Sequence, residues 1–242
     1  MGREPQLAGQ TLLVIGGSSG IGLESARRAT GEGAEVIITA RDPERVYRVG
    51  LELGASIAAF DATDFGRLGR FFEELPPIDH ILVAVPGPSE ARGSVFDIAA
   101  ARRDLDAHLL LPLQVAHASV GAMSPAGSLV FMGCSDGGAR ADGPALVSAL
   151  TAALSAITRH LANELAPIRV NLIAAGFVDT PLPATILGER LDARREQLRS
   201  TLPIQRVIAP DDIAALAVHL MTNTAVTGAT FDIDGGQRLV ER

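Results

Sequence analysis

Short, almost wholly apolar runs alternate along this chain with longer stretches in which apolar and polar residues recur at helical spacing. The runs Thr11 to Ile15, Val36 to Thr39, Ser56 to Phe60, Ile81 to Val85, Ser128 to Met132, Val170 to Ala174 and Thr230 to Ile233 read as strands buried on both faces. Between them, Gly20 to Thr30, Pro43 to Leu53, Phe96 to Met123, Pro144 to Leu165 and Pro210 to Met221 have the length and pattern of helices. Strands separated by helices in this way predict right-handed βαβ crossovers and a parallel sheet covered on both sides, an α/β doubly wound architecture. No repeat, charged tail or low-complexity linker interrupts the pattern, so residues 1–242 read as a single domain. The longest stretch without a strand, about 177–207, has proline towards both ends and an Arg/Glu helix between, which predicts a lid over a site.

Composition removes several function classes. The net charge of -7 leaves no basic footprint for nucleic acid. Helical stretches rich in alanine, leucine and valine lack an apolar run long enough to span a membrane, and the first ten residues lack the apolar core of a secretory signal. A cytoplasmic protein acting on a small molecule, without membrane or nucleic-acid partners, is the expectation. Cys134 is the only cysteine and His80, His117, His160 and His219 stand singly, so neither a disulfide nor a metal site is predicted. All 21 basic residues are arginine; the chain contains no lysine, and Tyr47 is its only tyrosine.

Candidate chemistry begins where the first strand ends. Gly16, Ser18, Ser19, Gly20, Ile21 and Gly22 form a GxxxGxG loop that opens a helix. Glycine lets such a backbone turn tightly and approach a pyrophosphate, whose charge meets the free N–H groups of the helix N-terminus. At the end of the second strand, where an acid would bind the ribose 2′-hydroxyl of NAD, stand Ala40 and Arg41. A guanidinium there suits a 2′-phosphate, which favours NADP(H) over NAD(H); the alternative is a solvated charge at a helix start. Asp61, beside Ala62, is placed to accept from the adenine amino group or to cap a helix.

The motifs "VIGGSSGIG", "FDATD", "IRVNLIAAGFVDTPL" and "VTGATFDIDGG" resemble the landmarks of the short-chain dehydrogenase/reductase family, in order and spacing, over essentially the whole chain. That resemblance implies a Rossmann-like sheet of about seven strands with the cofactor across their carboxyl ends. It also implies a fold-bracing role for Asn171, a nicotinamide contact for Thr180, and a dimer or tetramer formed through two long central helices. Gly87 closes the cofactor set, within an "AVPG" that replaces the family's Asn-Asn-Ala-Gly.

The family's proton chemistry uses a helical tyrosine and, four residues on, a lysine that holds the ribose and lowers the tyrosine's pKa. Those two positions fall on Val147 and Thr151, the family's serine on Cys134 and its asparagine on His108. With no lysine and Tyr47 on the adenine side, no shift of alignment restores the pair. Two readings follow. One is an NADP(H)-dependent oxidoreductase with a substituted proton relay drawn from His108, Cys134, Ser135 and Ser148, acting on a carbonyl, or on an activated double bond or iminium that needs little proton assistance. The other is a catalytically silent dinucleotide-binding subunit with a structural, sensing or assembly role, completed by an active paralogue.

Overall fold

The computed structural model describes residues 6–87, 97–135 and 145–240. Seven parallel strands form one sheet in the order β3-β2-β1-β4-β5-β6-β7. They are β1 (Thr11–Ile15), β2 (Glu35–Ala40), β3 (Ser56–Ala59), β4 (Ile78–Val83), β5 (Met123–Cys134), β6 (Arg169–Ala175) and β7 (Thr230–Ile233). β1, β4 and β6 sit inside the sheet, and their continuous apolar runs follow from burial on both faces. β3 and β7 differ: both are edge strands and partly exposed, because an edge has a neighbour on one side only and less helix above it.

One face is covered by α1 (Gly20–Gly31), α2 (Pro43–Leu53) and α9 (Pro210–Thr222). The other carries α3 (Phe65–Glu73), α4 (Ile98–Leu105), α5 (Leu111–Ser119) and α6 (Ala145–Glu164). The chain winds outward from β1 to β3 under the first layer, then from β4 to β6 under the second. The step from β6 to β7 continues in the same direction, yet α9 packs against α1 on the first face. That crossover therefore has the opposite hand to the others, and the expectation of uniform handedness fails there. The connection between β6 and α9 is long enough to carry the chain round the carboxyl edge to the other face. It contains α7 (Pro181–Leu187), a 3-10 turn (Gly188–Arg190) and α8 (Leu191–Thr201), and α10 (Gln237–Val240) follows β7.

The single helix predicted from Phe96 to Met123 is three pieces. Its start lies outside the described residues, a π-turn at Asp106–Leu110 separates α4 from α5, and Met123 already belongs to β5. Pro112 accounts for the interruption: its ring clashes with the carbonyl four residues back, that of His108, and a widened turn relieves the clash. The start predicted at Pro144 also lies outside the described residues. α6 has the length and mean hydropathy, 1.3, of a membrane span; its Val147, Leu150, Leu154 and Leu161 are buried against β5 and β6, while only 28% of that span is buried inside the chain.

Asn171 has the bracing role that the resemblance implied. Its side chain donates to Val226 O at 3.0 Å and accepts from Ala229 N at 3.2 Å, tying β6 to the approach of β7. Gly235 and Gly236 make the turn after β7 at φ 63° and 86°, and a methyl group on either would strike Ile204 or Pro203.

Candidate functional site

The loop after β1 is pressed onto the ends of three strands. The N–H groups of Gly16 and Gly17 both donate to Thr39 O, at 2.9 and 3.2 Å. A Cβ on Gly16 would lie 2.5 Å from Ala84 O, one on Gly17 2.7 Å from Ile38 Cγ2, and one on Gly22 2.3 Å from Gly16 O. Only glycine fits these approaches, and Gly17, half of an evident Gly-Gly doublet, belongs with the predicted set. Ser19 is the N-cap of α1, with extended backbone and no capping bond from its side chain. The first N–H groups of α1 thus keep their capacity for an anion, beside the half-buried Ser18 and Ile21. Gly20 meets Thr180, whose Cβ lies 3.4 Å from where a glycine methyl would stand, so the loop and the start of α7 share one wall.

This crevice opens between β1 and β4, where the strand order reverses, which is where doubly wound sheets bind ligands. A dinucleotide fits the donor set: a close-packed glycine backbone for the pyrophosphate, a helix N-terminus behind it, and Arg41 at the end of β2. Arg41 is exposed and, among the described residues, neither an ion pair nor a hydrogen bond holds its guanidinium. The neighbouring Asp42 caps α2 through Arg45 N at 3.0 Å, so the capping duty there is Asp42's. Asp61 accepts from Thr63 N at 3.0 Å and Thr63 Oγ1 at 2.7 Å in a local turn, while the cap of α3 falls to Asp64. Ala62 is buried beneath.

At the other end of the crevice the strand pleat sorts the candidates. Val130 lies in the α1/α9 layer with Met132 packed on it, and Leu129 and Phe131 lie in the α5/α6 layer. Cys134, in register with Ala175 of the first layer, therefore faces α1 and α9. Ser135 faces α6; its N–H continues the ladder to Ala175 O at 2.9 Å, and its Oγ is buried without a hydrogen-bond partner among the described residues. The position that faces α6 is thus Ser135 and not Cys134, which the alignment had equated with the family's serine.

α6 packs on this end of β5, with Leu154 Cδ2 3.1 Å from where a methyl on Gly133 would stand. Val147, two turns earlier on the same buried stripe, lies about 10 Å further along, beyond the end of β5. Thr151 is half-buried on the next turn. Ser148 is set apart: it is two turns before Ser155, whose hydroxyl bonds Thr230 Oγ1 at 3.0 Å, and so lies on the stripe towards β7. His108, on the π-turn that packs against α6, is half-buried and hydrogen-bonded to the Gly87 backbone. Burial lowers its pKa, and Asp104 and the Gly87 bond only partly oppose this. Ser135, His108, Gly87 and Val147 thus gather on one side of the sheet, with Cys134 on the other. Tyr47, 59% exposed on α2, is remote from them.

The segment 177–207, expected from sequence to be a lid, is largely helical and rooted at both ends. Phe177 N donates to Gln237 Oε1 at 3.0 Å, and Val178 pairs with Ile208. Arg195 grips Asp179 through Nε and Nη2 at 2.8–3.2 Å and reaches Asp192 at 2.9 Å. Arg194 stacks over Phe177 at 5.9 Å. Arg195 thereby ties the start of this segment to α8. Leu182 and Ile186, one turn apart on α7, are exposed.

A family model described as Enoyl-(Acyl carrier protein) reductase matches residues 15–238. The chain is similar to Short-chain dehydrogenase/reductase ATR9 of Stachybotrys chlorohalonatus, at 29% identity over 96% of this chain and 98% of that protein. Among solved structures it is similar to the MalC Reductase/Diels-Alderase from Malbranchea aurantiaca, with a TM-score of 0.87 and 25% identity over 98% of this chain and 99% of that one. BdcA in complex with NADPH gives a TM-score of 0.84 and 26% identity over 95% of both chains.

Proposed function

Because the chain belongs to the short-chain dehydrogenase/reductase family, we propose that it is an NADP(H)-dependent oxidoreductase that acts on a small carbonyl, enone or imine with a substituted proton relay. The observation that carries this reading is the glycine cradle, in which Gly16, Gly17 and Gly22 tolerate no side chain while the proton-transfer positions have changed. Backbone kept that close-packed beside a free helix N-terminus supports pyrophosphate binding. The unengaged guanidinium of Arg41 supports preference for the 2′-phosphate. The NADPH bound to BdcA, a neighbour of the same fold, accords with both.

NADP(H), when bound, supplies or takes a hydride. The chain's own contribution at the reacting end is Ser135, whose hydroxyl is free to orient a substrate, and His108, whose depressed pKa leaves a neutral imidazole near pH 7. Neither equals a tyrosine activated by lysine, so slow carbonyl turnover is expected, on the order of 100-fold or more below a site with a full acid. The buried Val147, where the family keeps its tyrosine, favours a second reading, the silent dinucleotide-binding subunit.

A fluorescence titration with NADPH and NADH, followed by a turnover panel of ketones, enones and imines, separates these outcomes. The oxidoreductase reading expects NADPH to bind at least about 10-fold tighter than NADH, Arg41→Ala to erase the difference, and NADPH to be consumed with some member of the panel. Binding without consumption selects the silent subunit, and no binding of either coenzyme sinks both.

A further inference from the structure

Resting on the NADP(H) reading, we propose that the hydride acceptor is a preformed iminium cation on an apolar frame. The reason is a match between what the site lacks and what such a substrate does not need. Reduction of a ketone leaves negative charge on oxygen, and reduction of an enone leaves it on an enolate; both call for a positioned acid, typically worth about 100-fold to 10000-fold in rate. An iminium carbon accepts the hydride with its two electrons from NADPH, the C=N π pair moves onto nitrogen, and a neutral tertiary amine forms beside NADP+. No proton is taken up and no anion develops.

The residues agree with that balance. Val147 and Thr151 are uncharged, and with no lysine anywhere in the chain no ammonium stands at the reacting end to repel a cation. Among the described residues, the arginines at the root of segment 177–207 are engaged: Arg195 is paired with Asp179 and Asp192, and Arg194 stacks over Phe177. Asp104 and Asp106 flank His108 on α4 and the π-turn, and Asp179 lies at the root of that segment with its charge met by Arg195. The Oγ of Ser135, buried and without a hydrogen-bond partner among the described residues, offers lone pairs to a positive centre. Leu182 and Ile186, one turn apart and exposed on α7, follow Thr180, which packs on Gly20, and offer apolar surface to a ring system. A site selected for carbonyl oxygen would carry the opposite features, a donor and a nearby cation.

Two probes of nearly equal shape test this: the N-methyl dihydroisoquinolinium cation and neutral tetralone. Calorimetry on the protein loaded with NADP+ gives a readout independent of turnover, and the iminium is expected to bind at least about 10-fold tighter. Consumption of NADPH is expected to favour the iminium by at least about 100-fold in kcat/KM. In Thr151→Arg, iminium affinity should fall by about 10-fold or more while tetralone affinity holds. Equal or weaker binding of the cation by the loaded wild-type protein, or ketone turnover within about 10-fold of iminium turnover, overturns the proposal and leaves the NADP(H) reading intact. Failure to bind NADPH removes the premise and the proposal together.

Discussion

The imidazole of His80 has no role at the candidate site, yet it governs how the protein meets acid. It is buried in β4, with Nδ1 2.8 Å from Ser128 Oγ and Nε2 2.6 Å from Gln10 Oε1. Burial lowers its pKa to about 4; Asp79 opposes the shift and Arg169 reinforces it. The unfolded chain takes up this proton near its ordinary value of about 6.5, and the folded one only near 4. Between those values the unfolded state binds more protons, so stability falls as pH drops through that window, by up to about 3 kcal/mol from this group alone. Urea titrations at several pH values should show that loss, and His80→Gln should flatten it. A second prediction concerns Gly22, where a methyl would stand 2.3 Å from Gly16 O, against backbone that cannot step aside. Gly22→Ala should cost about 1–3 kcal/mol in a denaturant titration and weaken NADPH binding at least about 10-fold, because the loop must open to admit it.

Elements are joined here by charged groups whose importance composition conceals. Arg169 of β6 is buried and donates to the carbonyls of Leu220 at 2.6 Å, Met221 at 2.7 Å, Asn223 at 3.1 Å and Val226 at 3.3 Å. It satisfies the end of α9 and places a cation at the negative pole of that helix. Arg169→Met would leave several carbonyls unpaired, and thermal and denaturant unfolding should show a loss of about 3 kcal/mol or more. Sequence made the inner strands legible because their apolar runs answer to burial on two faces; β1 and β7 run where they were expected to, although β7, like β3, is a partly exposed edge. What it did not yield was non-local. Whether Cys134 or Ser135 faces α6 depends on pleat and register with β6, and the reversed hand of the last crossover depends on which helix layer had room. The π-turn under His108 did have a local signal, Pro112 within a helical run, and the rule that proline disturbs the preceding turn would have found it.

At the scale of the molecule, several large apolar side chains on neighbouring helices are left uncovered among the described residues. Ile98, Leu110 and Val120, along α4 to α5, are 56%, 42% and 51% exposed, and beside them α6 buries little of its apolar length. Scattered apolar residues on a surface need no explanation, but neighbouring helices that share an apolar layer favour association. A second copy placed across a two-fold axis would cover this layer symmetrically, the commonest arrangement of soluble oligomers, and about 800 Å² from each partner suffices for a stable pair. The consequence for function follows from position: α4, the π-turn and α6 also carry His108, Val147 and Thr151, so an interface there would brace the reacting end of the crevice. Light scattering should give the mass of a dimer or tetramer for the native chain. In Ile98→Glu/Val120→Glu, two unpaired carboxylates would be buried, and the mass should fall to that of the monomer. Turnover should decline with it, whereas NADPH affinity, proposed to rest on the glycine loop and Arg41, should change by less than about 3-fold. A variant that becomes monomeric yet keeps full turnover would detach the interface from the chemistry; one that stays oligomeric would place the contact elsewhere on the surface.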